Sequence, residues 1–89
     1  MRAARADENQ PVIVAALRKV GATVFSLHRV GAGCPDLLIG FRGSTFLLEV
    51  KEEKGALTLP QLRFMWEWNG DEVKVVRTVE QALRAIGAL

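Results

Sequence analysis

The chain holds one cysteine, one histidine, no tyrosine and three prolines in 89 residues. A single thiol excludes an internal disulfide, and one Cys with one His cannot assemble a zinc cluster of the usual ligands. A reducing compartment fits that composition. No run approaches the roughly 18 apolar residues of a membrane span, and the first residues lack the apolar core of a secretory leader. A cytoplasmic, unsecreted protein without a membrane partner is expected. Charge of one sign is also scarce: twelve Lys and Arg face ten Asp and Glu, a net of +2, too little by itself to mark a nucleic-acid partner. Repeats and low-complexity segments are absent. The length suits one domain over residues 1–89, close to the size at which a private core only just offsets chain entropy.

What the chain does have is strong local patterning. Residues 1–6 carry Arg2 and Arg5 and little to anchor them, so a flexible start is expected, its arginines solvated or touching phosphate. From about Asp7 to Val20 apolar residues recur as Ile13, Ala16, Leu17 and Val20, with Arg18 and Lys19 near the end and Gly21 as a stop, which reads as a helix. Pro11 is tolerated only in a first turn, so regular helix is expected from Asn9 or Gln10, with Glu8 at or just before its start. Thr23 to Val30 reads as a strand running into the bend Gly31-Ala32-Gly33-Cys34-Pro35. The glycines there turn the chain or admit a close neighbour. His28, at the strand's end, is a structural residue, a ligand or a phosphate contact.

Two apolar strands follow, Asp36 to Phe41 and Thr45 to Val50, joined at Arg42-Gly43 as a hairpin. A two-residue loop pairs Phe41 with Ser44 and carries the ladder back to set Asp36 opposite Glu49. Directly opposed side chains on one face have Cβ atoms about 5 Å apart, near enough for both carboxylates to reach one divalent cation. Lys51 shares the face of Glu49, roughly 7 Å along the strand. A three-residue loop with a bulge is the competing register, and a slip of one residue would send the carboxylates to opposite faces. Both faces of the hairpin are apolar, which predicts central strands covered on two sides. Acids at the ends of such strands are informative, because Asp and Glu are seldom buried without a partner or a metal. If Glu8, Asp36 and Glu49 belong to a site, seven acids remain against the twelve bases, a moderately basic remainder.

Glu52 to Gly55 reads as a solvated loop, with Glu52 or Glu53 as optional accessory ligands. Thr58 with Gln61 three residues later is a capping box opening a helix that should end near Asn69-Gly70. At about 100° per residue, Leu59, Leu62, Met65 and Trp66 make one apolar face, expected inward, and Arg63 and Glu67 a thin charged strip. Gln61, Phe64 and Trp68 form a second stripe, so Phe64 and Trp68 are candidates for a subunit contact or for stacking on nucleotides, with packing under the N-terminal segment as the structural alternative. Val73 to Arg77 reads as a short strand, and Thr78 with Gln81 caps a last helix. The order is α-β-β-β-α-β-α, an α/β fold with a mixed central sheet flanked by helices.

With these residues in hand, Gly33-Cys34-Pro35-Asp36, then Glu49-Val50-Lys51 after a gap of twelve residues, then Leu57-Thr58 with Gln61, the chain resembles the virus-type replication-repair nuclease (VRR-NUC) family of the PD-(D/E)XK nucleases. The resemblance spans Glu8 to Ile86. It implies a PD-(D/E)XK nuclease-like fold and a Mg²⁺ or Mn²⁺ ion held by Asp36, Glu49 and the backbone carbonyl of Val50, with Glu8 as the first-helix acid near it. It implies that Lys51 positions or deprotonates the attacking water or stabilises charge at the scissile phosphate, and that Gln61 completes the site. Small stand-alone members, commonly viral and so acting inside a host cell, look like homodimers that cut branched DNA, including four-way (Holliday) junctions. The chemistry agrees with those roles: phosphodiester hydrolysis needs a hard cation, and oxygen ligands suit Mg²⁺ or Mn²⁺. A metal-dependent endodeoxyribonuclease, a homodimeric junction resolvase, is therefore expected. The alternatives are a flap or nicking nuclease on the same scaffold, or a non-catalytic nucleic-acid-binding subunit.

Overall fold

The computed structural model describes residues 8–89; the stretch 1–6 expected to be flexible, with Arg2 and Arg5, lies outside the described residues, as does Asp7. The elements are α1 (Gln10–Lys19), β1 (Thr23–Ser26), β2 (Leu37–Phe41), β3 (Ser44–Val50), α2 (Leu59–Glu67), β4 (Lys74–Val76) and α3 (Val79–Ala85). The order is the expected one. The four strands form one mixed sheet in the order β1-β2-β3-β4, antiparallel across the first two pairs and parallel between β3 and β4. None of the described helices is long and apolar enough to cross a membrane.

α1 starts where Pro11 permits, with the proline in its first turn and its missing N–H among donors that have no intrahelical partner anyway. Asn9 stands at the cap position without capping, because its side chain is used elsewhere: Nδ2 donates to the carbonyls of Lys51 and Arg77 at 3.0 and 2.9 Å. One side chain thus clips the start of α1 to the ends of β3 and β4. Ile13 and Leu17 are buried as expected, whereas Val20, at the helix end, is exposed. The first strand stops at Ser26, four residues before the expected end, because Ser26 Oγ and the Leu27 carbonyl take the His28 and Val30 N–H groups into a turn.

The hairpin has the two-residue loop. Arg42 and Gly43 both have positive φ, 51° and 82°, and the Arg42 guanidinium lies over the Phe41 ring at 4.7 Å. That contact offsets part of the strain of a non-glycine residue there. Phe41 pairs with Ser44 and Leu37 with Leu48, so the bulged register is not adopted. The ladder begins at Leu37 rather than Asp36, and β3 begins one residue earlier than expected.

Pleating sorts the sheet into two faces. Val24, Leu37, Ile39, Leu48, Val50 and Val76 point to one and are buried with Ile13 and Leu17 of α1 and Ala82 and Ile86 beside them. The opposite face is not fully covered, contrary to expectation: Phe25 and Thr45 are exposed there, and Leu38 and Leu47 are half-buried. Among the described residues α2, which connects β3 to its parallel neighbour β4, reaches that side through the Gln61–Glu49 hydrogen bond, and none of its residues is fully buried.

α2 is also turned about its axis relative to the sequence expectation. Its Thr58 and Gln61 form the reciprocal capping box. However, Leu59, Leu62 and Trp66 of the face expected inward are exposed, while Gln61, Phe64 and Met65 are half-buried. Phe64 and Trp68, the candidates for a subunit or nucleotide contact, stack on each other with ring centroids 5.3 Å apart. The helix ends at Glu67, with Trp68 already extended, two residues before the expected Asn69-Gly70 stop. In α3 the Thr78 hydroxyl accepts from the Gln81 N–H, while the Gln81 side chain turns back to the Arg77 N–H.

Candidate active site

Extending the β2–β3 register one step beyond Leu37↔Leu48 puts Asp36 opposite Glu49, on the face away from α1 and α3. The two carboxylates are held by different means. Asp36 Oδ2 accepts the Val50 N–H at 2.7 Å, so the acid caps the end of the strand that carries its partner. Glu49 is 1% exposed, and its Oε2 accepts from Gln61 Nε2 at 3.0 Å. A buried carboxylate without such donors would be strongly disfavoured. Lys51, one pleat further on, brings Nζ to 3.8 Å from the same oxygen.

Each of these positions has a local cause. Gly33, at φ +77°, lies so close under the first turn of α2 that a Cβ there would meet the Pro60 carbonyl oxygen at 2.1 Å and the Gln61 nitrogen at 2.8 Å. The glycine bend is thus a docking point for α2, the close-neighbour alternative of the two considered. It sets Gln61 over Glu49 while the following Pro35-Asp36 delivers the second acid. The end of β3 is fixed by the Asn9 bond to the Lys51 carbonyl. Beyond it, Arg77 Nη1 donates to the carbonyls of Glu52 and Gly55 at 2.6 and 2.8 Å, folding the exit loop around one guanidinium.

Cys34, two residues before Asp36, is a half-buried free thiol. Burial pushes its thiol up from the ordinary value, and the negative charges of Glu49 and then Asp36 push it further. Position 34, two residues before Asp36 in the same bend, was the available hint; the Asn9 and Arg77 clips join residues so distant in the chain that no local pattern reveals them.

Glu8 does not join the pair. No group of three or more His, Cys, Asp or Glu side chains able to hold a metal ion forms among the described residues. Glu8 is exposed, and its backbone N–H donates to Glu52 Oε2 at 3.0 Å, which turns the Glu8–Glu52 contact into a loop tie. The reason lies in Asn9 and Pro11: once Asn9 reaches the strand ends and Pro11 fixes the first turn, the preceding residue is directed along the exit loop. His28 is exposed in its turn. Phe64 and Trp68 are occupied with each other beside the sheet.

The donor set is thus two carboxylates supplied by neighbouring strands, with Val50 between Glu49 and Lys51. Hard oxygen donors in that number suit Mg²⁺ or Mn²⁺, which keep several waters and accept one or two protein carboxylates; they do not suit zinc. No protein-family model, no curated protein and no solved structure matches the chain.

Proposed function

We propose that the chain is a Mg²⁺- or Mn²⁺-dependent endodeoxyribonuclease of the PD-(D/E)XK type, similar to the VRR-NUC family, that hydrolyses phosphodiester bonds in branched DNA as a homodimeric junction resolvase. The observation that carries this reading is the meeting of Asp36, Glu49, Lys51 and Gln61 at one end of one sheet face. A carboxylate buried to 1% exposure beside a second acid is unfavourable for folding and repels nucleic acid, so neither core packing nor plain binding of phosphate accounts for the arrangement.

Asp36 and Glu49, with the carbonyl of Val50, would hold the cation. It would supply a Lewis acid for the phosphate and activate water. The protein's own groups do the rest. The Val50 N–H holds Asp36 and the Gln61 amide holds Glu49, so both acids are ordered before any ligand arrives. Lys51, held beside Glu49 and on the same side of β3, is placed to accept a proton from the attacking water or to stabilise charge on the phosphate. Recognition would be of shape and phosphate rather than of bases, and a two-fold dimer would present two such sites to a symmetric junction.

The test is cleavage of a labelled four-way junction beside linear duplex, flap and single strand, in Mg²⁺, Mn²⁺ or EDTA. Paired symmetric nicks that need the metal, and that fall at least a hundredfold in Lys51→Ala, are expected. Cutting confined to flaps would keep the site and replace the substrate. No metal-dependent cutting of any substrate would leave the non-catalytic binding subunit as the reading.

A further inference from the structure

We infer that the outward face of α2 is a two-fold contact between two copies of this chain. This names the surface of the dimer in the nuclease reading and rests on that reading for its functional consequence.

Leu59, Leu62 and Trp66 are 78%, 47% and 90% exposed on a helix that buries none of its residues. They lie within one face, at about 100° per residue. A tryptophan offers on the order of 200 Å² of surface, so the stripe amounts to several hundred Å² per copy. Contiguous exposed apolar area of that size marks an interaction site in a soluble chain. Two copies laid face to face would cover on the order of 1,000 Å², the lower bound for a specific interface.

The shape fits another helix. Shallow grooves of about 470 and 370 Å³ run along α2, both lined by Leu59, Arg63 and Glu67, with Trp66 standing beside the second. A ridge flanked by grooves is the surface that packs against a second ridge flanked by grooves.

Charge selects the occupant. Arg63 and Glu67, four residues apart on this face, take part in no ion pair among the described residues. In an antiparallel pairing about a two-fold axis at the level of Met65, two residues past the middle of α2, each Arg63 faces the Glu67 of the other copy, so both pairs form at once. A nucleic acid would meet Glu67 as a repulsive charge and would leave the leucines uncovered. Since Gln61 lies on the reverse of this helix, bonded to Glu49, the contact would set the two carboxylate sites at a fixed separation.

The experiment is sedimentation velocity on the full chain, in EDTA and without DNA, so that its outcome is independent of nuclease activity. Wild type is expected at twice the monomer mass of 9.8 kDa. Trp66→Ala and Leu62→Glu, both at exposed positions, should raise the dimer dissociation constant about tenfold or more with an unchanged circular dichroism spectrum. Arg63→Glu and Glu67→Arg should each weaken self-association, and mixing the two variants should restore a dimer, because every facing pair is then of opposite sign. A monomeric wild type overturns the inference, as does a dimer indifferent to Trp66→Ala and Leu62→Glu. A monomer whose Trp66 emission changes only on adding duplex DNA assigns the face to nucleic acid instead.

Discussion

Gly33→Ala should damage the site without replacing any of Asp36, Glu49, Lys51 or Gln61, and the size of the effect follows from the geometry. Gly33 has φ +77°, where an L-residue costs about 1–2 kcal/mol. A new Cβ would also stand 2.1 Å from the Pro60 carbonyl oxygen and 2.4 Å from its carbon. Both are backbone atoms, so no rotamer change relieves the overlap. The bend and the first turn of α2 must separate by more than an ångström, which pulls Gln61 off Glu49. Losing a hydrogen bond to a charged, buried acceptor costs about 1.5–3 kcal/mol. The sum, about 2.5–5 kcal/mol, is a large share of the roughly 5–15 kcal/mol that holds a domain together. Gly31→Ala is the matched control: its φ is +76°, but nothing lies within 4 Å of the added Cβ. Stiffening of the unfolded chain is common to both variants and cancels. Urea unfolding followed by the fluorescence of Trp66 and Trp68 should therefore place Gly33→Ala about 1.5–3 kcal/mol below Gly31→Ala. Equal midpoints for the two variants would show that the bend does not dock α2.

Two further perturbations separate charge from packing. Glu49→Gln keeps the shape and an oxygen for the Gln61 amide while removing the charge that faces Asp36; calorimetric Mn²⁺ binding should disappear while the circular dichroism spectrum is kept, and Mn²⁺ binding retained by a folded Glu49→Gln protein would contradict the account of Glu49 as a cation ligand. The second concerns Cys34, whose thiol is held above its ordinary value by burial, then by Glu49, then by Asp36. Because the thiolate is the reactive form, alkylation by iodoacetamide should follow a pH profile displaced upward from that of a free cysteine. Asp36→Asn removes the smallest of the three causes and should move the profile back down, so that the rate at pH 8 rises; identical profiles would mean that Asp36 does not act on Cys34.

The parts of this molecule that were legible in the sequence are those decided by neighbours in the chain. The Arg42-Gly43 turn sets the register of β2 against β3, and the register carries Asp36 to Glu49, so a local feature located two residues of the site. The capping box at Thr58 and Gln61 is likewise a three-residue pattern. What was not legible depends on partners far apart in sequence. Asn9 forsakes its own helix to bond two strand ends, and that redirection is why Glu8 fails to meet the acids. The early end of β1 and the incomplete cover on one sheet face follow from how few elements the chain has to place there. No run of β-branched residues records that.

The rotation of α2 is the sharpest of these failures and explains the most. Apolar area alone would turn Leu59, Leu62 and Trp66 inward, and a sequence reading that sums hydrophobicity chooses that face. The helix is instead oriented by a polar requirement: Glu49 is buried to 1% exposure and needs a donor, and Gln61 is the residue that supplies it. Leaving a buried carboxylate without that amide costs as much as a well-buried leucine returns. The Gly33 contact at Pro60 and Gln61 adds a steric constraint of the same sense. With the site's polar contact satisfied, the apolar stripe faces outward, and a stripe that size remains exposed in water only at a cost. The same arrangement that gives Glu49 its donor thus leaves an apolar surface outside, so in the proposed dimer the carboxylate pair and the contact would lie on two sides of one helix.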